Sequence, residues 1–152
     1  MSDAMGSKIE NRMKTIKAVD IMSKFAITAK EDDTISSLAH LMMRFKISGV
    51  PVLSKVGTVV GIITATDLFN LMKTITNSIE KGEDIEDFNS LYIRDYMACE
   101  VISITEETTL YQMMKIMCSK NIHTLPVMVL EKNEIIGVIG RRDILNACYV
   151  KP

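Results

Sequence analysis

The chain has 152 residues, 47% of them hydrophobic, enough for one domain or two intimate halves with a real core. Its formal net charge is −1 and it carries no basic tract, which argues against nucleic acid as a partner. No apolar run reaches the length of a membrane span and no signal-peptide segment opens the chain, so a soluble, cytoplasmic protein without a membrane partner is expected.

The first seven residues, Met1 to Ser7, carry no fold signal, and residues 1–17 read as an N-terminal extension. Beyond them the chain is one unit written twice. Asp20-Ile21-Met22 recurs as Asp95-Tyr96-Met97, and Val50-Pro51-Val52 as Leu125-Pro126-Val127, both at an offset of 75. Gly61-Ile62-Ile63 recurs as Gly137-Val138-Ile139 and Asp67 as Asp143, at an offset of 76. The extra residue falls between the Pro and the Gly of the second copy, where Leu130 to Glu134 reads as a turn.

Each copy predicts the order β-α-β-β-α. Short extended pieces at Ala26-Ile27-Thr28 and Val101-Ile102-Ser103 open them. Ile35, Leu38, Ala39, Met42 and Phe45 then form a helical stripe, matched by Leu110, Met113, Met114 and Met117. Strands at Val50 to Leu53 and Val59 to Ile63 flank a turn at Lys55-Val56-Gly57; Leu125 to Leu130 and Ile135 to Ile139 repeat that hairpin. A second helix closes each copy, near Asp67 to Ile79 and near Arg142 to Tyr149. Repeat 1 therefore spans 18–79 and repeat 2 spans 93–152. The connection, residues 80–92, begins with the acidic stretch Glu80 to Asp87 and reads as solvated. A unit this short buries its own sheet poorly, so the expected fold is α+β, with two pseudo-symmetric repeats packed sheet against sheet. Twelve Met and no Trp give apolar helix faces beyond what one globule buries, for which a helix-mediated homodimer is the natural use.

Chemistry-bearing residues are few. Cys99, Cys118 and Cys148 are widely spaced, and with His40 and His123 they show no metal-ligand spacing, so no metal and no disulfide framework is expected. No nucleophile–base constellation and no P-loop glycine pattern occurs, so the chain does not read as an enzyme. The informative stretch is Gly61 to Asp67. Thr64 falls at a helix N-cap with Asp67 three residues later. That spacing suits a capping box with Asp in place of Glu or Gln. It equally suits a phosphate site, since a helix start offers unpaired N–H groups and positive charge.

These landmarks together resemble the cystathionine-β-synthase (CBS) domain. Met22, Gly49-Val50-Pro51-Val52 and Gly61 to Asp67 carry one copy; Met97, Ile122 to Val127 and Gly137 to Asp143 carry a second. The tandem pair resembles a Bateman module and covers about Val19 to Cys148. The resemblance implies a regulatory, energy-sensing module that takes AMP, ADP, ATP or S-adenosylmethionine in the cleft between its repeats and acts on an unidentified protein effector. By position, it implies a first ligand site from Thr64, Thr66, Asp67, Val101, Ile102, His123, Thr124 and Pro126. The second would use Ala26, Ile27, Ser48, Gly49, Pro51, Arg141, Arg142 and Asp143. In these roles the aspartates accept ribose hydroxyls, the threonines donate to phosphate, and Val101 and Ile102 either enclose adenine or belong to the core. His123 resembles the phosphate-facing His of the gamma subunit of AMP-activated kinase, whereas His40 has no such context. Gly140 departs from the pattern, standing where copy 1 has Thr64, while Arg141 and Arg142 offer phosphate-binding charge. That departure motivates the alternative of a ligand-free CBS-pair scaffold.

Overall fold

The computed structural model describes residues 2–150. In chain order its helices and strands are α1 (Ser2–Thr15), α2 (Ala18–Ile21), β1 (Ala29–Lys30), α3 (Ile35–Phe45), β2 (Gly49–Leu53), β3 (Val59–Thr64), α4 (Ala65–Glu80), α5 (Leu110–Lys120), β4 (Thr124–Val129), β5 (Glu134–Gly140) and α6 (Arg141–Leu145). A π-helical turn, Asn146–Val150, follows α6. The mixed α+β composition is the one expected. The chain divides into two compact units: a central unit of residues 27–101, and a terminal unit made of the segments up to Ala26 and from Ile102 onward. The lead-in of each sequence repeat thus belongs to the unit built from the other repeat.

In the central unit β2 is the middle strand, parallel to β1 (Ala29 opposite Val52) and antiparallel to β3 (Val50 opposite Ile63). Thr34 caps α3 by accepting from the Ser37 N–H at 3.1 Å, and Lys46 ends the helix in the left-handed region at φ 54°. Ile35, Leu38 and Met42 face inward and pack with Val50, Val52, Ile63, Leu71 and Ile93. Phe45, placed in the same stripe by the sequence pattern, is instead exposed. It sits in the last turn, where the chain leaves the core through Lys46.

The terminal unit repeats this plan with two differences. Its sheet has only β4 and β5, because the counterpart of β1 shrinks to a single parallel bridge between Ile104 and Val127. The opening strands therefore lie at 29–30 and 104, slightly later than the expected 26–28 and 101–103. The last helix is also not continuous from 142 to 149; it passes into the π turn, inside which Arg12 donates to the Ala147 carbonyl. Thr109 and Gln112 form a capping box on α5, and Leu110, Met113 and Met117 pack with Leu125, Val127 and Ile139.

Within the N-terminal extension, whose first seven residues carry no fold signal in the sequence, Ser2–Thr15 forms α1. Helix-forming residues and the Glu10–Lys14 pair (2.8 Å) support it locally, and Met13 and Ile16 bury against the terminal-unit core. The acidic stretch Glu80 to Asp87 is exposed throughout, as expected of a solvated segment, whereas Leu91 near the end of the connection is buried in the central-unit core.

Both hairpins are closed along their outer edge in the same way. Ile62 on β3 exchanges two backbone hydrogen bonds with Ala98 (2.9 and 2.8 Å), and Val138 on β5 does so with Ser23 (3.0 and 3.2 Å). Pro51 and Pro126 stand opposite these residues, at pairs whose N–H and carbonyl groups already face outward. A residue without a donor therefore costs no ladder bond at either position. One residue before each bridge the hairpin has glycine, and a methionine fills the missing side chain's space. A Cβ on Gly61 would lie 2.6 Å from Met97 Sδ and 2.8 Å from the Ala98 carbonyl; on Gly137 it would lie 2.6 Å from Met22 Sδ and 2.9 Å from the Ser23 carbonyl. Gly61→Ala and Gly137→Ala should each cost about 1–3 kcal/mol in denaturant unfolding, because a carbonyl held in a ladder cannot retreat. Unchanged midpoints for both variants would refute the close packing.

Candidate functional site

Helix α4 begins where β3 ends, so the candidate residues of the central unit sit at one end of a hairpin. Thr64 pairs with Gly49 across the strands, and the Ala65 N–H donates to the Ser48 carbonyl at 2.8 Å. Ser48, Gly49, Thr64, Thr66 and Asp67 are thereby brought together, although the sequence reading divides them between two ligand sites. Asp67 Oδ2 accepts from the Thr64 N–H at 2.8 Å and from the Thr64 hydroxyl at 3.1 Å. Thr64 Oγ1 in turn accepts from the Asp67 N–H at 3.4 Å. The capping box is formed, with the Thr64 hydroxyl hydrogen directed to Asp67. Thr66 is exposed, two positions past the cap and outside this network. For Thr64 to donate to a phosphate, its hydroxyl must turn away from the carboxylate; the Thr66 hydroxyl needs no such change.

The terminal unit builds the equivalent end from His123, Thr124, Arg141, Arg142 and Asp143. Thr124 pairs with Gly140, and the Gly140 N–H donates to Asp143 Oδ2 at 2.9 Å. The carboxylate half of the box survives without the hydroxyl half. Arg141 and Arg142 are exposed and His123 is half-buried, so this end carries the cationic side chains and the central unit's end carries hydroxyls. A Cβ at Gly140 would meet only the His123 carbonyl, at 3.9 Å, and its φ of −110° is open to any residue.

The remaining candidates differ in what they can touch. Pro51 and Pro126 are among the fully buried side chains, and Thr124 is buried. Any part these three play runs through their backbone. Ile102 packs against the terminal-unit core, which fixes the core reading for much of its surface. Ala26, Ile27 and Val101 are half-buried and belong to neither core cluster. They are the last and first residues on either side of the two points where the chain passes between units, and Ile102 completes that set.

The role of Met22 and Met97 was not legible in the sequence beyond their repetition. Their side chains lie over Gly137 and Gly61 and hold the chain segments that lead to Ala26 and Val101. His40 Nδ1 donates to the Ser36 carbonyl (2.9 Å) within α3, a local contact. Cys99 and Cys118 are exposed free thiols; Cys148 lies 3.7 Å from Met114 Sδ, and burial pushes its thiol pKa up against an opposing effect of Arg12. Among the described residues no group of three or more His, Cys, Asp or Glu is arranged to hold a metal, and no helix is long and apolar enough to cross a membrane.

Thr64→Ala should lower unfolding stability by about 0.5–2 kcal/mol through loss of the cap. Gly140→Thr should raise it by roughly 0.4–1 kcal/mol, since the backbone there is compatible with a side chain and the unfolded chain loses freedom. A Gly140→Thr variant less stable than the parent would show that the open space at Gly140 is misjudged.

The family model for the CBS domain matches residues 18–74 and again 93–149. The chain is 33% identical over 150 residues to the uncharacterized protein MJ1426 of Methanocaldococcus jannaschii, covering 84% of this chain and 88% of that one. It is 29% identical over 141 residues to the inosine-5'-monophosphate dehydrogenase of the same organism, covering 90% of this chain but only 25% of the enzyme. Among solved structures, MJ1225 of M. jannaschii, proposed as an archaeal homologue of g-AMPK, superposes with TM-score 0.79 at 26% identity, over 95% of this chain and 51% of that one. The CBS domain pair of MJ0100, solved with 5-methylthioadenosine and S-adenosyl-L-methionine, gives TM-score 0.65 at 25% identity, over 84% and 91% of the two chains. CBSX2 in complex with AMP gives 0.71 at 20% identity, over 87% and 95%, a likeness of fold alone.

Proposed function

Because the chain belongs to the CBS-domain family and carries two copies of its motif, we propose that it is a regulatory module that senses an adenosine-containing ligand: AMP, ADP, ATP or S-adenosylmethionine. Occupancy changes its shape or assembly and so acts on a protein effector. The observation that carries this reading is the pair of carboxylates at the starts of α4 and α6. Each commits Oδ2 to the helix cap, at Thr64 N–H and at Gly140 N–H. The cap holds each side chain in place while the second oxygen, Oδ1, is the acceptor we assign to the ribose diol. Charge-assisted bonds of that kind contribute roughly 1.5–3 kcal/mol each when shielded from water.

The phosphate groups go to the residues beside each carboxylate. Thr66, in the first turn of the sixteen-residue α4, serves one carboxylate. Arg141 and Arg142 serve the other, and we assign a further phosphate contact to His123. A guanidinium grips an anion in two places, so the arginine-bearing end suits a longer phosphate chain than the hydroxyl-bearing end. Ala26, Ile27, Val101 and Ile102 are assigned to the adenine faces, and Ser48, Gly49, Thr124 and the strand prolines to the backbone that meets its edge. The ligand complex of the MJ0100 pair supports the ligand class. The dehydrogenase relative lends no catalytic residue set, since this chain spans only a quarter of it.

A ligand present at about one hundred times its dissociation constant should stabilise the fold by about 2.7 kcal/mol, a melting shift of roughly 5–10 °C. Millimolar AMP, ADP, ATP and S-adenosylmethionine should be screened by thermal melting. Asp67→Asn keeps an oxygen for the cap and removes the charge, so it should leave the ligand-free melting point near that of the parent and shrink the shift. Asp67→Ala tests less cleanly because it also removes the cap. If none of the four ligands moves the melting point, the sensing reading falls and an interaction scaffold takes its place.

A further inference from the structure

The two segments that close the hairpins agree in what the fold asks of them and differ at an exposed position. Met22-Ser23 and Met97-Ala98 each set a methionine over a glycine and bond the strand through the next residue. Each segment then reaches an aliphatic pair, Ala26-Ile27 or Val101-Ile102, with Lys24-Phe25 intervening in one and Cys99-Glu100 in the other. Phe25 is 94% exposed, more than any other large hydrophobic residue among those described, and belongs to neither core cluster. Glu100 stands exposed at the equivalent position, so this place in the fold has no need of an aromatic ring. A ring left in water also forgoes the burial by which phenylalanine stabilises a protein. It is held there between two fixed points: Ser23 makes two hydrogen bonds to Val138, and Ala29 pairs within the β1–β2 ladder.

Given the sensing function proposed above, we infer that Phe25 is a ligand-binding residue whose ring stacks on the adenine. Phe25 adjoins Ala26, which is assigned to an adenine face. It lies in the terminal unit, the unit that also holds Arg141, Arg142 and Asp143, the residues assigned to phosphate and ribose. The apolar surface is a single ring: Lys24 before it is charged and exposed, and Ala26 after it is small and half-buried. That is far less than a protein partner needs and is the size of one base. An aromatic face meets the π face of a base without requiring a fixed hydrogen-bond pattern, so it adds affinity that does not depend on the phosphates. The segment with Glu100 offers no ring, which confines this stacking to one of the two segments.

The chain has no tryptophan, so Phe25→Trp introduces a single fluorescent reporter at the position itself. Its emission should be quenched saturably by AMP, ATP and S-adenosylmethionine, which share the adenine. In calorimetric titration Phe25→Ala should bind AMP and ATP about 5- to 150-fold more weakly than the parent at the site affected. The loss should be equal for the two nucleotides, and the ligand-free melting point should stay at the parent's. Phe25→Tyr should bind as the parent does, whereas Phe25→Glu, which copies Glu100, should not. Parental affinity in Phe25→Ala overturns the proposal whatever the fluorescence shows, and leaves the sensing function standing. A loss that grows from AMP to ATP marks a phosphate effect and overturns it as well. Emission that shifts with protein concentration and not with ligand marks a protein contact, again overturning it. A parent that binds none of these ligands removes the sensing function and this proposal together.

Discussion

The structure depends on how each hairpin gets its outer edge closed. A two- or three-stranded sheet leaves a strand with free N–H and carbonyl groups, an edge open to further pairing. Here Ala98 closes β3 and Ser23 closes β5, each through a reciprocal pair of hydrogen bonds. The methionine just before each closing residue settles over a glycine of the strand it closes. Glycine is required for this by proximity, because its backbone conformation is ordinary at both positions. The prolines of β2 and β4 fit for the same reason, since the residues opposite them spend their hydrogen bonds outward on the closing segment. One local arrangement thus accounts for the Met, the Pro and the Gly of each repeat.

That arrangement also fixes how the chain is shared between units. The segment that closes the terminal unit's hairpin opens repeat 1, and the segment that closes the central unit's hairpin opens repeat 2. Neither repeat completes itself. Ala26 and Val101 end the closing segments, so residues assigned to the adenine faces follow directly from methionines anchored on glycine.

At the helix starts, the cap and the proposed ligand site share one carboxylate. Capping uses one oxygen of Asp67 and one of Asp143, and orients the other without further cost. The two ends differ in what surrounds that carboxylate: hydroxyls near Asp67, cations near Asp143. Losing the hydroxyl at Gly140 removes half a capping box but leaves the carboxylate in place, because the backbone N–H alone holds it.

The sequence by itself determined the repeat, its offset, the helix and strand types, and the cap at Thr64 and Asp67. Those features rest on local periodicity and on hydrogen bonds three residues apart, which neighbouring residues decide. Tertiary structure alone decided which lead-in completes which hairpin, why Gly61 and Gly137 are glycines, and that Phe45 turns outward. It also decided that residues 2–15 form a helix, because Arg12, Met13 and Ile16 find partners more than ninety positions away in sequence. Covalent order records the repeats as consecutive; the edge of a strand accepts whichever segment can bond it, and that segment came from the other repeat.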